Sequence, residues 1–89
     1  MKRRRSKLRR RYGHAKPSPA LTRYRGAVEI ALVPHFERLG VSYWVARDVA
    51  TDTAHKTHAK IVRTCFDAGV SARDCAARIE SELAKRRAR

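Results

Sequence analysis

Apolar residues recur every three or four positions between residues 21 and 39, which is the spacing of one buried helical face. They are Leu21, Tyr24, Val28, Ala31, Leu32, Phe36 and Leu39. Ser18 and Pro19 stand just before this run; serine is a common N-cap, and proline is tolerated in the first helical turn. The pattern predicts a helix that begins at Pro19 and that Pro34 kinks or divides.

The triplet Gly-Val-Ser occurs at residues 40–42 and again at 69–71, and each copy predicts a corner between two helices. Glycine readily adopts the left-handed conformation that ends a helix, and the serine can cap the next one. After the second corner, a helix over residues 72–85 would bury Cys75, Ala76, Ile79 and Leu83. No stretch alternates apolar and polar residues as a strand does. The predicted fold is a compact all-α domain of three or four helices.

Residues 43–68 leave two interpretations open. A single helix would turn Val45 and Val49 away from one broad apolar face, formed by Trp44, Ala54, His58, Ile61, Val62, Cys65 and Phe66. Either the helix breaks near residues 51–53, where helix propensity is low and Thr51 could cap a new helix, or a homodimer covers both faces. Because so short a core buries little surface alone, we expect a homodimer.

Positive charge is concentrated at both ends of the chain. The 89 residues hold 22 Lys and Arg against 8 Asp and Glu, a net charge of +14. Residues 1–16 carry nine basic side chains and no acid, residues 85–89 carry four, and residues 17–84 have a net charge of only +1. The predicted organisation is a basic arm at 1–17, a helical core domain at 18–84 and a basic tail at 85–89. Like charges repel, so we expect these ends to be disordered when free.

Basic arms of this kind most often bind a polyanion, and nucleic acid is the predicted partner. Each basic group that neutralises a phosphate releases a counterion, so binding should weaken steeply with salt. Tyr12 stands beside Arg11 in the arm and is a candidate to stack on a base, whereas helical spacing favours burial of Tyr24 and Trp44. The candidate nucleic-acid-binding residues are Lys2, Arg3, Arg4, Arg5, Lys7, Arg9, Arg10, Arg11, Tyr12, Lys16, Arg23, Arg25, Tyr43, Arg47, Lys85, Arg86, Arg87 and Arg89.

The first corner and the helix after it carry a resemblance to a known family. Leu39-Gly40-Val41-Ser42-Tyr43 is similar to the turn of helix-turn-helix DNA-binding domains, in particular those of the lac-repressor family. The resemblance implies that the following helix enters the major groove, with Tyr43 and Arg47 facing the bases. That family reads bases with the first, second and sixth residues of this helix, here Tyr43, Trp44 and Asp48, of which only Tyr43 fits. A purely structural corner is the alternative, because the triplet recurs at 69–71.

The order of the predicted elements resembles a second family. A basic tail, a helix, a corner, a long helix over residues 43–68, a corner and a short helix are similar to the histone fold. This resemblance implies an obligate dimer that grips phosphates without reading bases. The first helix is longer here than in that family, and the second corner lacks its Arg-Thr pair.

Other classes of function lack the residues they need. The sequence has no nucleophile-base-acid set, Gly-rich phosphate loop or carboxylate pair, so we expect no enzyme, cofactor or small-molecule substrate. His55, His58 and Cys65 do not have the spacing of a zinc site, so no metal is expected. Cys65 and Cys75 stand at apolar positions and are expected to be buried, reduced thiols. The longest apolar run, residues 30–33, is too short to span a membrane, and no signal peptide is expected.

We therefore expect a small, basic nucleic-acid-binding protein of the cytoplasm, the nucleoid or a virion. Its predicted role is that of a packaging, accessory or regulatory factor on DNA. A structural RNA-binding protein, such as a small ribosome-associated component, is the first alternative. An assembly protein that binds an acidic protein partner is the second.

Overall fold

The computed structural model describes residues 18–87, which form four α-helices and one π-helical turn. The helices are α1 (Pro19–Glu37), α2 (Tyr43–Asp52), α3 (Ala59–Asp67) and α4 (Ala72–Arg87), and the π-helical turn (Thr53–Thr57) joins α2 to α3. Residues 18–87 contain no strand, which confirms the predicted all-α domain. The predicted arm at 1–17 and its expected disorder lie outside the described residues, as do residues 88 and 89 of the predicted tail.

Helix α1 begins where the sequence predicts and passes through its internal proline. The amide of Leu21 donates to the hydroxyl of Ser18 at 3.1 Å, which confirms the cap, and Pro19 is the first helical residue. Pro34 does not divide the helix, because the amide of Arg38 still donates to the Pro34 carbonyl at 3.0 Å. Pro34 has no amide to donate to the carbonyl four residues earlier, so the helix lacks one backbone hydrogen bond there.

Both Gly-Val-Ser triplets form the predicted corners. Gly40 and Gly69 have φ values of 96° and 74°, in the left-handed region that favours glycine. The Ser42 hydroxyl accepts from the amide of Val45 at 3.3 Å, and the Ser71 hydroxyl accepts from the amide of Asp74 at 3.1 Å. Each serine therefore caps the helix that follows it.

Residues 43–68 are two helices. The amide of His58 donates to the Thr53 carbonyl at 2.9 Å, five residues back, and His58 itself has φ −123° and ψ 26°, outside the helical region. This break follows the predicted one by a few residues. Thr51 does not cap a helix, since its hydroxyl lies 2.9 Å from the Arg47 carbonyl. Thr53 likewise bonds the carbonyl four residues earlier, and such bonds bend helices.

The core is built around α1, which packs against α2, α3, α4 and the π-helical turn. Helices α2 and α4 each contact α1 but do not contact one another. The hydroxyl of Tyr24 donates to the Val70 carbonyl at 2.7 Å and ties the first half of α1 to the second corner. The central buried cluster consists of Val28, Leu32, Phe36, Ala46, Ala50, Ala54, Val62, Cys65, Cys75, Ala76 and Ile79.

Two residues predicted to be buried are exposed. Trp44 is 69% exposed, because the predicted face assumed one unbroken helical period and the π-helical turn interrupts that period. Helix α2 instead buries Ala46 and Ala50. Leu39 is 47% exposed because α1 has already ended. The rest of the predicted face is buried or half-buried, namely Ala54, His58, Ile61, Val62, Cys65 and Phe66.

Candidate nucleic-acid interface

More than half of the predicted nucleic-acid-binding residues lie outside the described part of the chain. These are the ten candidates of the arm, from Lys2 to Lys16 and including Tyr12, together with Arg89. The structure places the other seven at three positions: the first half of α1, the start of α2 and the end of α4.

The first position, in the first half of α1, is held against the core by Tyr24. The ring of Tyr24 packs 5.4 Å from that of Phe66, and its hydroxyl bonds the Val70 carbonyl, so Tyr24 is part of the core, as its spacing predicts. Burial raises the pKa of this hydroxyl well above its usual value of 10. Arg23 is exposed, whereas the Nε atom of Arg25 is buried and has no hydrogen-bond partner within residues 18–87. Arg23 is therefore the freer of the two to meet a phosphate.

The second position is an aromatic–arginine cluster of Tyr43, Trp44 and Arg47 on α2. The two rings lie 5.3 Å apart at 72°, and the Arg47 guanidinium carbon lies 6.0 Å from each ring centre. Tyr43 is 49% exposed and Trp44 69%. The cluster can stack on a base or be covered by protein, since such rings serve both purposes.

Exposed apolar side chains are concentrated on α2 and on the segments next to it. Every large apolar side chain of residues 18–87 that is strongly exposed lies between residues 30 and 49. These residues lie on α1, the first corner and α2, and we refer to them together as the α1–α2 face: Ile30, Leu39, Val41, Tyr43, Trp44, Val45 and Val49. Ile30, Val33, Pro34 and Tyr43 line a groove of about 470 Å³ between the two helices, with Glu29, Glu37 and Arg47 at its edge. Because large exposed apolar patches often belong to interaction sites, this face is a candidate for one.

The third position lies at the end of α4. Lys85, Arg86 and Arg87 form its last helical turn, so most of the predicted C-terminal tail is helical. Cations are favourable there because the helix dipole places partial negative charge at the C-terminus. The positive charge of Arg86 also reaches His58 at the start of α3.

A cleft of about 530 Å³ between α3 and α4 adds basic residues that the sequence analysis missed. Lys60 lines it from α3, and Arg78 and Lys85 line it from α4. We call it the α3–α4 cleft. Lys60 and Arg78 were missed because the near-zero net charge of residues 17–84 was read as a neutral surface. Spacing places Lys60 and Thr64 on one face of α3, and Arg78 and Lys85 on one face of α4, but it does not show that the two faces meet.

Charge is divided unevenly between these surfaces. Residues 26–53, which hold the α1–α2 face, contain two basic and four acidic side chains, a net charge of −2. Residues 54–87, which hold the α3–α4 cleft, contain eight basic and four acidic side chains, a net charge of +4. Within the described residues, the segment that holds the α1–α2 face is therefore slightly acidic, and the segment that holds the cleft is basic.

The remaining reactive groups are buried. Cys65 and Cys75 are buried free thiols, as predicted, and burial together with a bond to Cys65 raises the pKa of Cys75 to about 12. His58 is buried, and its burial, aided by the charge of Arg86, lowers its pKa below 6.5. Its Nδ1 atom lies 3.0 Å from the Thr57 hydroxyl, and its Nε2 atom has no partner within residues 18–87. No group of three or more His, Cys, Asp or Glu in the same residues is placed to bind a metal ion.

Among the helices of residues 18–87, none combines the length and apolar character needed to cross a membrane. Comparison with protein-family models, with curated proteins and with solved structures finds no match to this chain.

Proposed function

We propose that this protein binds nucleic acid through the phosphate backbone. The observation that carries the proposal is the charge distribution, in which residues 1–16 and 85–89 supply thirteen of the 22 basic side chains and no acid. A soluble domain needs no such blocks to fold, while a polyanion gives them a partner. Residues 54–84 add five basic side chains on the folded part of the chain, against four acidic ones.

DNA is the favoured nucleic acid, because the first corner and α2 resemble a helix-turn-helix. We propose that α2 nevertheless does not read bases. Asp48 is exposed on the same helix and would repel phosphates, and Arg47 already packs beside the rings of Tyr43 and Trp44. In the cell the protein would act as a packaging, accessory or regulatory factor on DNA in the cytoplasm, the nucleoid or a virion.

Selection from random duplexes tests the question of base reading. If α2 only supports the fold, the selection returns no reproducible motif, and Tyr43→Ala and Arg47→Ala change affinity equally for all sequences. A single motif that is lost on Tyr43→Ala would instead establish direct readout, with about 1–3 kcal/mol of discrimination per contact.

We propose further that the protein acts as a homodimer joined through the α1–α2 face. Val45 and Val49 are 46% and 38% exposed there. The larger side chains of Ile30 and Trp44 have higher exposed fractions than either valine. Two copies with a net charge of +14 repel one another, and residues 26–53 are the stretch where acids outnumber bases. Sedimentation at micromolar concentration decides this: we expect a dimer that Trp44→Ser and Val49→Asp dissociate. A monomer at that concentration would refute the homodimer. The histone-like layout already lacks its long central helix, because residues 43–68 form two helices.

The central experiment compares binding of duplex DNA, single-stranded DNA, structured RNA and an acidic protein at several salt concentrations. We expect duplex DNA to bind tightest, with an affinity that falls steeply as salt rises. A variant with the nine basic residues of 1–16 changed to Gln should bind more weakly by orders of magnitude and with a flatter salt slope. Unchanged affinity and slope would show that the arm does not anchor phosphates. Preference for RNA or for the acidic protein would favour one of the two alternatives.

A further inference from the structure

The α3–α4 cleft brings together positive charges from two helices. Lys60 stands on one wall, and Arg78 and Lys85 stand on the other. Cys65, only 1% exposed, lies at the base of the cleft, so apolar atoms form its floor. Its three basic side chains outnumber the one carboxylate in the lining, and a concave surface with an excess of positive charge raises the local concentration of anions.

Two of the three cations that line the cleft have no acidic partner within the described residues. No carboxylate of residues 18–87 lies within 4.0 Å of Lys60 or Arg78. Lys56 and Arg63, on the same segment of chain but outside the cleft, pair with Asp52 at 3.9 Å and Asp67 at 3.3 Å. Within the described residues, Lys60 and Arg78 therefore keep an unshared positive charge in the cleft, whereas Lys56 and Arg63 share theirs with a carboxylate.

Neutral groups of the cleft can also bind an anion. A guanidinium NH group of Arg78 donates to the sulfur of Cys65 at 3.8 Å, which orients the planar group. The hydroxyls of Thr64 and Ser81 line opposite walls and can donate to an oxyanion. The one carboxylate in the lining, Glu82, bonds Lys85 at 3.2 Å and leaves Lys60 and Arg78 free.

We propose that the α3–α4 cleft binds the sugar–phosphate backbone of a nucleic-acid strand, as a second contact region besides the basic arms. The inference rests on the proposed function and names the surface of the folded domain that the strand follows. Arg78 and Lys85 are seven residues apart, about 10 Å along the helix axis, so they reach different phosphates. A continuous backbone satisfies both, whereas a free phosphate ion satisfies one.

A matched pair of full-length double variants tests the site. K60Q/R78Q removes two positive charges inside the cleft, and R63Q/R73Q removes two from the same helices outside it. Because charge-assisted hydrogen bonds are the stronger ones, we expect K60Q/R78Q to weaken duplex binding about tenfold or more relative to R63Q/R73Q. The salt slope should fall by about 1 for each phosphate that the variant no longer neutralises. Equal affinity and slope in the two variants would overturn the inference.

Lysine acetylation of the wild-type protein gives a readout that does not depend on folding of the variants. Bound duplex should slow the modification of Lys60 and Lys85, while Lys56, whose side chain is 79% exposed outside the cleft, should react at its free rate. Equal rates at Lys60 with and without duplex would overturn the inference. Inorganic phosphate added at matched ionic strength should give no protection, and protection by it would reassign the cleft to a free anion.

The two proposals fail in different ways. If the wild-type protein binds no nucleic acid at any salt concentration, the proposed function fails and the cleft inference falls with it. If the wild type binds and depends on its arm, but the two double variants behave alike, only the cleft inference fails.

Discussion

Ile79 is buried and Ile30 is exposed, although both are isoleucines. Changing each of them separately to Ala tests the core and the exposed face. Ile79 of α4 is 0% exposed and is one of the largest fully buried side chains, whereas Ile30 of α1 is 74% exposed. Truncation to Ala removes the same atoms at each site. It leaves a cavity only at Ile79, because water already surrounds Ile30 in a monomer.

The magnitudes differ enough to be measured. Ile79→Ala should lower the free energy of unfolding by about 2–5 kcal/mol. Domains have a stability of roughly 0.05–0.15 kcal/mol per residue, so 70 described residues would have about 3.5–10 kcal/mol in total. The variant should therefore lose a large fraction of its stability and more than about 8 °C of Tm. Ile79→Val should cost about 0.5–1.5 kcal/mol.

Ile30→Ala should behave differently at low and high protein concentration. In a dilute sample it should change the free energy of unfolding by no more than about 0.5 kcal/mol. If the α1–α2 face joins two copies, association stabilises the wild type at high concentration. The variant should then be less stable than the wild type at that concentration.

Urea unfolding followed by far-ultraviolet circular dichroism, at two protein concentrations, measures these effects. An unchanged m-value would show that each substitution acts on stability and not on the surface exposed on unfolding. A cost below about 1 kcal/mol for Ile79→Ala would refute the assignment of the core. Equal costs for Ile79→Ala and Ile30→Ala at low concentration would refute the exposure of Ile30.

Three further predictions concern single positions. Tyr24→Phe should cost about 1 kcal/mol of unfolding free energy, because it removes the bond to the Val70 carbonyl and keeps the ring; no change would show that the hydroxyl is equally satisfied by water. Gly40→Ala should destabilise the fold, because φ is 96° there. Gly26→Ala inside α1 should stabilise it by about 0.4–1 kcal/mol, because no atom lies within 4 Å of the added Cβ. Changes of the same sign in the free energy of unfolding of the two variants would contradict this. His58, whose pKa burial lowers below 6.5, is protonated more readily in the unfolded chain, so stability should be full above pH 6.5 and decline as pH falls below it. His58→Gln should flatten this dependence in thermal unfolding curves, and an unchanged profile would refute the role of His58.

The sequence predicts the local features of the fold well. Ser18, Ser42 and Ser71 cap helices, and Gly40 and Gly69 turn corners, because each effect depends only on neighbouring residues. The alternative of a broken helix between residues 43 and 68 was also visible in the poor helix formers near residue 52.

What the sequence does not predict depends on packing. The exposure of Trp44 follows from where the π-helical turn falls, and several neighbouring positions had equally weak propensity. Lys60 and Arg78 line the same cleft because of the way α3 lies against α4, which no local pattern specifies. The net charge summed over all of residues 17–84, +1, also conceals the difference between residues 26–53 and residues 54–87.

The central place of α1 has a consequence for the order of folding. Its buried residues, such as Val28 and Leu32, find partners only on helices synthesised later, and Tyr24 bonds a residue 46 positions further along. Since α2 and α4 do not contact one another, neither can stabilise the other without α1 between them. Partial chains ending before α4 would therefore leave one side of α1 uncovered. We expect the domain to fold in one cooperative step, with the slowest amide hydrogen exchange in α1 and a rate limited by the arrival of α4.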